Sequence, residues 1–251
     1  MASGGGRYRR RRSGGTALYF TMAAGFVILA AITAMSLFFK ISEINVSGIK
    51  MYSADQVIEI SGLETGNSIF FIRENAVAVR IKNELPYVDD VRVIRSFPGT
   101  VTIEIVESIR AASIAFDGGW LILDQNCKIL EKTNTAGTKG TIEIRGATAV
   151  SPTVGGSLNL GSSESVRSQY LHDTLAAIYK ANLQNEVTWL DVTNISAIRF
   201  DYRGYDINVC QGENLDSKLK VLLEYFEEEG YDHPGEITLP TDQELRWTQF
   251  H

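Results

Sequence analysis

The chain has 251 residues, 44% of them hydrophobic, and a formal net charge of −6. Its charge is divided: Arg7, Arg9, Arg10, Arg11 and Arg12 crowd the start, and every acid lies beyond residue 42. A long acidic region of this kind argues against nucleic acid or an anionic surface as its partner, and residues 40–251 are enough to bury a substantial core.

Residues 1–16 read as a basic cytoplasmic tail and residues 17–39 as a transmembrane helix. The run from Ala17 to Phe39 carries no charge. At about 1.5 Å per residue it exceeds the roughly 30 Å hydrocarbon core of a bilayer. A cleaved signal peptide would have a shorter apolar run ending in small residues, whereas Met35, Leu37, Phe38 and Phe39 close this one. An uncleaved single-pass anchor is therefore the expectation. The arginine cluster can bind RNA or anionic lipid, but beside an anchor orientation and lipid headgroup contact are the simpler explanation. The N-terminus is expected in the cytoplasm and the rest outside it.

Residues 40–109 read as a β-α-α-β-β unit. A strand ends at Gly48. Ser53 and Gln56 form a capping-box pattern for a helix that Gly62 can end. Val77, Ile81 and Leu85 line one face of a second helix, which Pro86 stops. Two strands follow, joined by Ser96-Phe97-Pro98-Gly99. In the second, Val101, Ile103 and Ile105 alternate with polar residues.

Residues 110–251 read as a mixed β domain with two amphipathic helices, making the whole chain α+β. Short strand-like runs to about residue 148 are parted by turn residues such as Asp117-Gly118. A Gly/Ser/Pro/Thr loop precedes a helix with Leu171, Leu175 and Ile178 in register. Strands return on both sides of a hairpin turn at Gly204. A last helix carries Leu215, Leu219, Leu222 and Phe226 on one face, with Asn214 as its N-cap and Gly230 closing it. The chain ends in two strand-like stretches, Gly235 to Thr241 and Gln243 to Phe250, expected at a sheet edge.

Chemical signatures are sparse. Ser47-Gly48-Ile49-Lys50 fits S-x-x-K and Ser157-Leu158-Asn159 fits S-x-N, as in penicillin-binding enzymes. That chemistry needs the serine at a helix start, and here it ends a strand, while the Lys-Thr-Gly element is missing. His172, His233 and His251 lack partners at metal-ligand spacing. Asp89, Asp90, Asp191, Asp201 and Asp206 can be imagined as acid/base or calcium groups, but their spacing suits exposed faces and turns. No glycine-rich phosphate loop is present. Asn45 and Asn194 open glycosylation sequons, relevant only in a eukaryotic secretory setting. Cys127 and Cys210 can pair outside the cell or stay buried and unpaired. Leu245, Trp247 and Phe250 either complete the core or meet a partner. A terminal strand is open to pairing with another chain.

Taken in order, several strings resemble one family. They are I-x-x-I-x-V-S-G (Ile41 to Gly48), V-I-x-x-S-G-L (Val57 to Leu63), G-x-S-I-F (Gly66 to Phe70), L-P-Y-V (Leu85 to Val88) and R-x-F-P-G-T-V-x-I-x-I-x-E (Arg95 to Glu107). W-L-I-L-D (Trp120 to Asp124) and G-E-N-L-D-S-K-L (Gly212 to Leu219) extend the likeness. Together they resemble the FtsQ/DivIB family of bacterial cell-division proteins, whose anchor is followed by a POTRA domain and a β domain. The resemblance implies a divisome scaffold at the division septum, in the cytoplasmic membrane, with no enzymatic activity, cofactor, metal, small-molecule substrate or nucleic-acid partner. It implies binding of FtsB/DivIC-like and FtsL-like single-pass proteins by strand addition. In this sequence that edge falls on Pro240, Thr241, Asp242, Gln243, Glu244, Leu245, Arg246 and Trp247. Two departures stand out. Pro240 interrupts the last strand, where it is tolerated only at an edge or bulge, and Cys127 replaces the family glycine after D-x-x. The alternative is a POTRA-bearing transport or outer-membrane assembly component, although the alternating strands of a barrel are missing.

Overall fold

The computed structural model describes residues 14–228, 235–240 and 246–249. α1 (Gly14–Phe38) is one uninterrupted helix. It contains a span, Leu18–Met35, long and apolar enough to cross a membrane, and no part of that span is buried by the other described residues. A helix apolar on every side and packed against no protein is matched to lipid.

The first folded unit runs β1 (Glu43–Ser47), α2 (Ala54–Ser61), α3 (Glu74–Glu84), β2 (Val88–Ser96) and β3 (Thr100–Glu107). The local signals act as expected. The Ser53 hydroxyl accepts the Gln56 N–H at 3.2 Å, and α3 stops two residues before Pro86. The sheet order is β1-β3-β2, with β1 parallel to β3 and β2 antiparallel to it. Val57, Val77 and Ile81 from the helices meet Val101, Ile103 and Ile105 from β3 in one core.

The second unit is a single nine-stranded sheet. Its strands are β4 (Ala112–Phe116), β5 (Gly119–Leu123), β6 (Ile129–Thr133), β7 (Ile142–Arg145), β8 (Trp189–Asp191), β9 (Ile198–Tyr202), β10 (Tyr205–Cys210), β11 (Gly235–Thr238) and β12 (Arg246–Gln249). Two helices, α4 (Ser165–Lys180) and α5 (Leu215–Glu228), pack into its core. The order is β12-β11-β10-β9-β8-β7-β4-β5-β6. Two hairpins turn on pairs with positive φ, Asp117-Gly118 (45° and 75°) and Arg203-Gly204 (54° and 86°), the signature of tight type I′ loops. Three pairings are parallel, β4 with β7, β7 with β8, and β10 with β11, while β5 with β6, β8 with β9 and β11 with β12 are antiparallel.

The two units touch through Tyr87, Ile122 and Leu130, with Tyr52 against them. The Tyr52 hydroxyl accepts the Tyr87 N–H at 3.1 Å, and the Lys128 ammonium donates to the Val88 carbonyl at 2.8 Å. Burial holds the pKa of Lys128 below its ordinary value and pushes that of Tyr87 up to about 12.

Asn214 takes the expected N-cap position directly before α5, but at φ 55°, in the left-handed region rather than the extended backbone usual there. It contributes its carbonyl, which accepts the Lys218 N–H at 3.1 Å. Gly230, expected to close α5, lies outside the described residues. The two cysteines are both free, Cys127 buried and Cys210 half-buried. Cys127 has φ 59°, a conformation that favours glycine, which accounts for the glycine that the resemblance expects there.

Candidate partner-binding edge

The last strands are positioned by α5. β10 and β11 run parallel, so the chain must cross over between them, and α5 makes that crossing. Leu215, Leu219, Leu222 and Phe226 form its buried stripe. Burial of each such side chain contributes about 1.5–3 kcal/mol. The Phe226 ring stands edge-on to Tyr202 and Tyr205, at centroid distances of 5.1 and 5.2 Å. Lys218, buried among them, donates to the carbonyls of Val209 (2.6 Å) and Gln211 (2.9 Å), and burial lowers its pKa.

β11 is held from two sides. Ile237 is fully buried opposite Ile207, and the Leu239 N–H donates to the Asn208 carbonyl at 2.8 Å. An ion-pair network stitches three strands: Arg199 of β9 meets Asp206 of β10 at 2.8 Å and Glu236 of β11 at 2.9 Å. Pro240 lies two residues past the end of β11, where its missing N–H costs no ladder bond.

β12 is different. It pairs antiparallel with β11, with Trp247 opposite Ile237, and no strand among the described residues lies beyond it. Directly opposed residues share a face, so Trp247 continues the helix-bearing face past the last buried position. It is 42% exposed and outside the core cluster. The indole lies over Gly235, where an added Cβ would come within 2.6 Å of its Nε1. In a ladder of this kind alternate residues turn their N–H and C=O groups outward, so β12 presents a template for another strand. Of the eight residues expected to form this edge, Pro240 follows β11, while Arg246 and Trp247 open β12 opposite Thr238 and Ile237. Thr241, Asp242, Gln243, Glu244 and Leu245 lie outside the described residues.

The chemical candidates fare differently. Ser47 ends β1, and Gly48 turns the chain at φ 82°, so Lys50 is not one helical turn on. A cleft of about 600 Å³ lies among Cys127, Ser157, Ser165 and His172. Its thiol is pushed up to about 12 by burial and by the Asp124 carboxylate, so it stays protonated at neutral pH, the reverse of what a nucleophilic cysteine needs. His172 pairs with its neighbour Asp173 at 3.1 Å on the surface. His233 and His251 lie outside the described residues. Among the described residues no group of three or more His, Cys, Asp or Glu side chains is placed to hold a metal.

Sequence reasoning missed the role of Gly235 under the indole. The only signal for it was a glycine opening the strand.

Residues 39–108 match the family described as "POTRA domain, FtsQ-type". Over 202 residues the chain is 25% identical to the cell division protein DivIB of Clostridium tetani, an alignment covering 77% of this chain and 75% of that one. It is 36% identical over 130 residues to DivIB of Brevibacillus brevis, covering 51% and 49%. It is 34% identical over 126 residues to the cell division protein FtsQ of Corynebacterium glutamicum, covering 48% and 55%.

Proposed function

We propose that this chain, a cell-division protein of the FtsQ/DivIB family with an FtsQ-type POTRA domain, is a non-enzymatic scaffold. In this reading it crosses the cytoplasmic membrane once, N-terminus inside, and recruits other single-pass division proteins on the outside at the septum. Residues 40–109 are the POTRA domain, and residues 110–251 are the β domain that carries the docking edge.

The observation that carries the reading is β12, the last strand of a nine-stranded sheet, with a half-exposed tryptophan on its helix-bearing face. A segment of an FtsB/DivIC-like protein adding beside β12 gains main-chain hydrogen bonds, and its alternate side chains find Trp247. An FtsL-like protein joins through the same assembly. Confinement of all members to one membrane raises their effective concentration without any added contact.

The test is a pull-down of the detergent-solubilised chain with the extracytoplasmic part of a DivIC-like protein. Trp247→Ala and a chain stopped at Thr238 are each expected to weaken binding at least about tenfold, the cost typical of an interface aromatic. Wild-type binding by both variants sinks the edge reading. Covalent labelling of Ser47 by a β-lactam would sink the non-enzymatic one.

A further inference from the structure

An aromatic patch stands at the foot of α1. Phe39, the residue after the helix, packs its ring against Phe70 and Phe97 at centroid distances of 5.1 and 5.7 Å, and those two lie 5.5 Å apart. Clusters of this kind ordinarily sit in a core. Here Phe70 is 43% exposed, Phe97 59% and the adjacent Phe71 85%, while Ile69 between them and the sheet is fully buried.

The backbone holds two loops at this level. On one side the Ile69 N–H donates to the Phe39 carbonyl (3.1 Å), the Ile41 N–H to Asn67 (2.8 Å) and the Gly66 N–H to Ile41 (2.7 Å). On the other, the Ser42 N–H donates to the Gly99 carbonyl at 2.8 Å. Gly99 approaches so closely that a Cβ there would sit 2.4 Å from the Lys40 carbonyl oxygen. Topology requires the same placement. β1 and β3 are parallel with Glu43 opposite Thr100, so both begin where the chain leaves α1, and the β2–β3 turn must hang at that end.

We propose that loops 67–72 and 97–99 form a membrane-docking surface, in which Phe70, Phe71 and Phe97 enter the lipid interface around the foot of α1. The occupant is lipid because the patch is continuous with the span: Phe39 belongs both to the uncharged run and to the ring cluster. Exposed Lys40 and Arg73 flank it, so at this one end the charge is locally basic although the region as a whole is acidic, and these two suit anionic headgroups. Rings of this size bury favourably at the headgroup–acyl boundary. The consequence is that the first unit is held against the bilayer at several points, which fixes its tilt and so the height of β12. The inference rests on α1 crossing the membrane. It does not rest on what β12 binds, so the pull-down and the following measurement can fail separately.

The experiment uses the full chain in phosphatidylethanolamine–phosphatidylglycerol vesicles whose acyl chains are brominated near the headgroup. Phe71→Trp and Phe97→Trp are each read as the emission added over the parent chain. Val106→Trp serves as an exposed control about 20 Å farther along β3 at about 3.3 Å per residue. Bromine is expected to quench the added emission at 71 and 97 by about half or more, and at 106 by less than about a tenth, as an interfacial depth of 5–10 Å requires. Quenching at 71 and 97 no greater than at 106 overturns the proposal, including the case in which a second copy or another protein covers the patch. Phe71 is so exposed that its substitution leaves core packing alone, so its result stands even if Phe97→Trp disturbs the ring cluster.

Discussion

The two edges of the nine-stranded sheet are treated in opposite ways. At the β6 end a loop runs alongside the strand. The Ile129 N–H donates to Gly156 (2.8 Å), the Gly155 N–H to Ile129 (2.7 Å) and the Leu158 N–H to Cys127 (2.8 Å). Asp124, buried beneath, accepts the N–H groups of Asn126 and Lys128, both at 2.8 Å, and the Ser108 hydroxyl at 3.1 Å. At the β12 end no strand among the described residues lies alongside, and a large aromatic side chain is left half in solvent. Unused edges are normally blunted because they recruit stray strands. On the proposed reading, a chain that covers the first residues of one edge and docks its partner at the other separates stability from recognition.

Breaking the closed edge should have the largest effect. Ile129 is fully buried where the covering loop meets β6. Ile129→Ala should cost about 2–4 kcal/mol, read as a lower urea midpoint at unchanged slope. A loss below about 1 kcal/mol would mean that the covered edge is no firmer than the open one.

The next effect is alkaline. The Cys127 thiol is raised from 9.0 to about 12, by burial and by Asp124. A raised folded pKa means that the folded chain keeps a proton which the unfolded chain releases. This contribution is therefore fully present below pH 9 and is lost as pH rises from 9 towards 12, by up to a few kcal/mol. Tyr87 and Tyr179 are also raised to about 12, so every variant weakens there. The readout is the difference: Cys127→Ala should lose less stability than wild type between pH 8 and pH 11. Equal losses would show that the thiol beside β6 is not sealed from solvent.

The smallest expected change in stability is at the open edge. Trp247→Ala should lower unfolding stability by less than about 1 kcal/mol, since much of the ring is already in water. That small loss should accompany the tenfold or greater loss of partner binding expected above. A loss of several kcal/mol would make Trp247 a core residue and erase the contrast between the edges.

How much of this is legible in the sequence depends on distance along the chain. The first unit is readable almost throughout, because Ser53, Pro86 and the alternation of Val101, Ile103 and Ile105 each act within a few residues of themselves. The hairpins at Asp117-Gly118 and Arg203-Gly204 are legible for the same reason. Asn214 is legible as the residue that precedes α5, but an asparagine there suits both an extended and a left-handed backbone, so its conformation is not. Trp247 is recognisable as a large apolar residue near a terminus, but its exposure depends on which strand it faces.

By itself the sequence determined the anchor, the order of helices and strands, and the sharp division of charge, because composition and short-range backbone preference act locally. Tertiary structure alone decided that β4, β7 and β8 join one sheet with β10 and β11, that Trp247 lies over Gly235 beyond the last buried position, and that Phe39, Phe70 and Phe97 meet beside the membrane helix. The physical reason is shared. Each of these contacts joins segments separated in the chain, and what brings them together is the pairing of strands and the packing of the core beneath them, a condition that no single stretch of residues states.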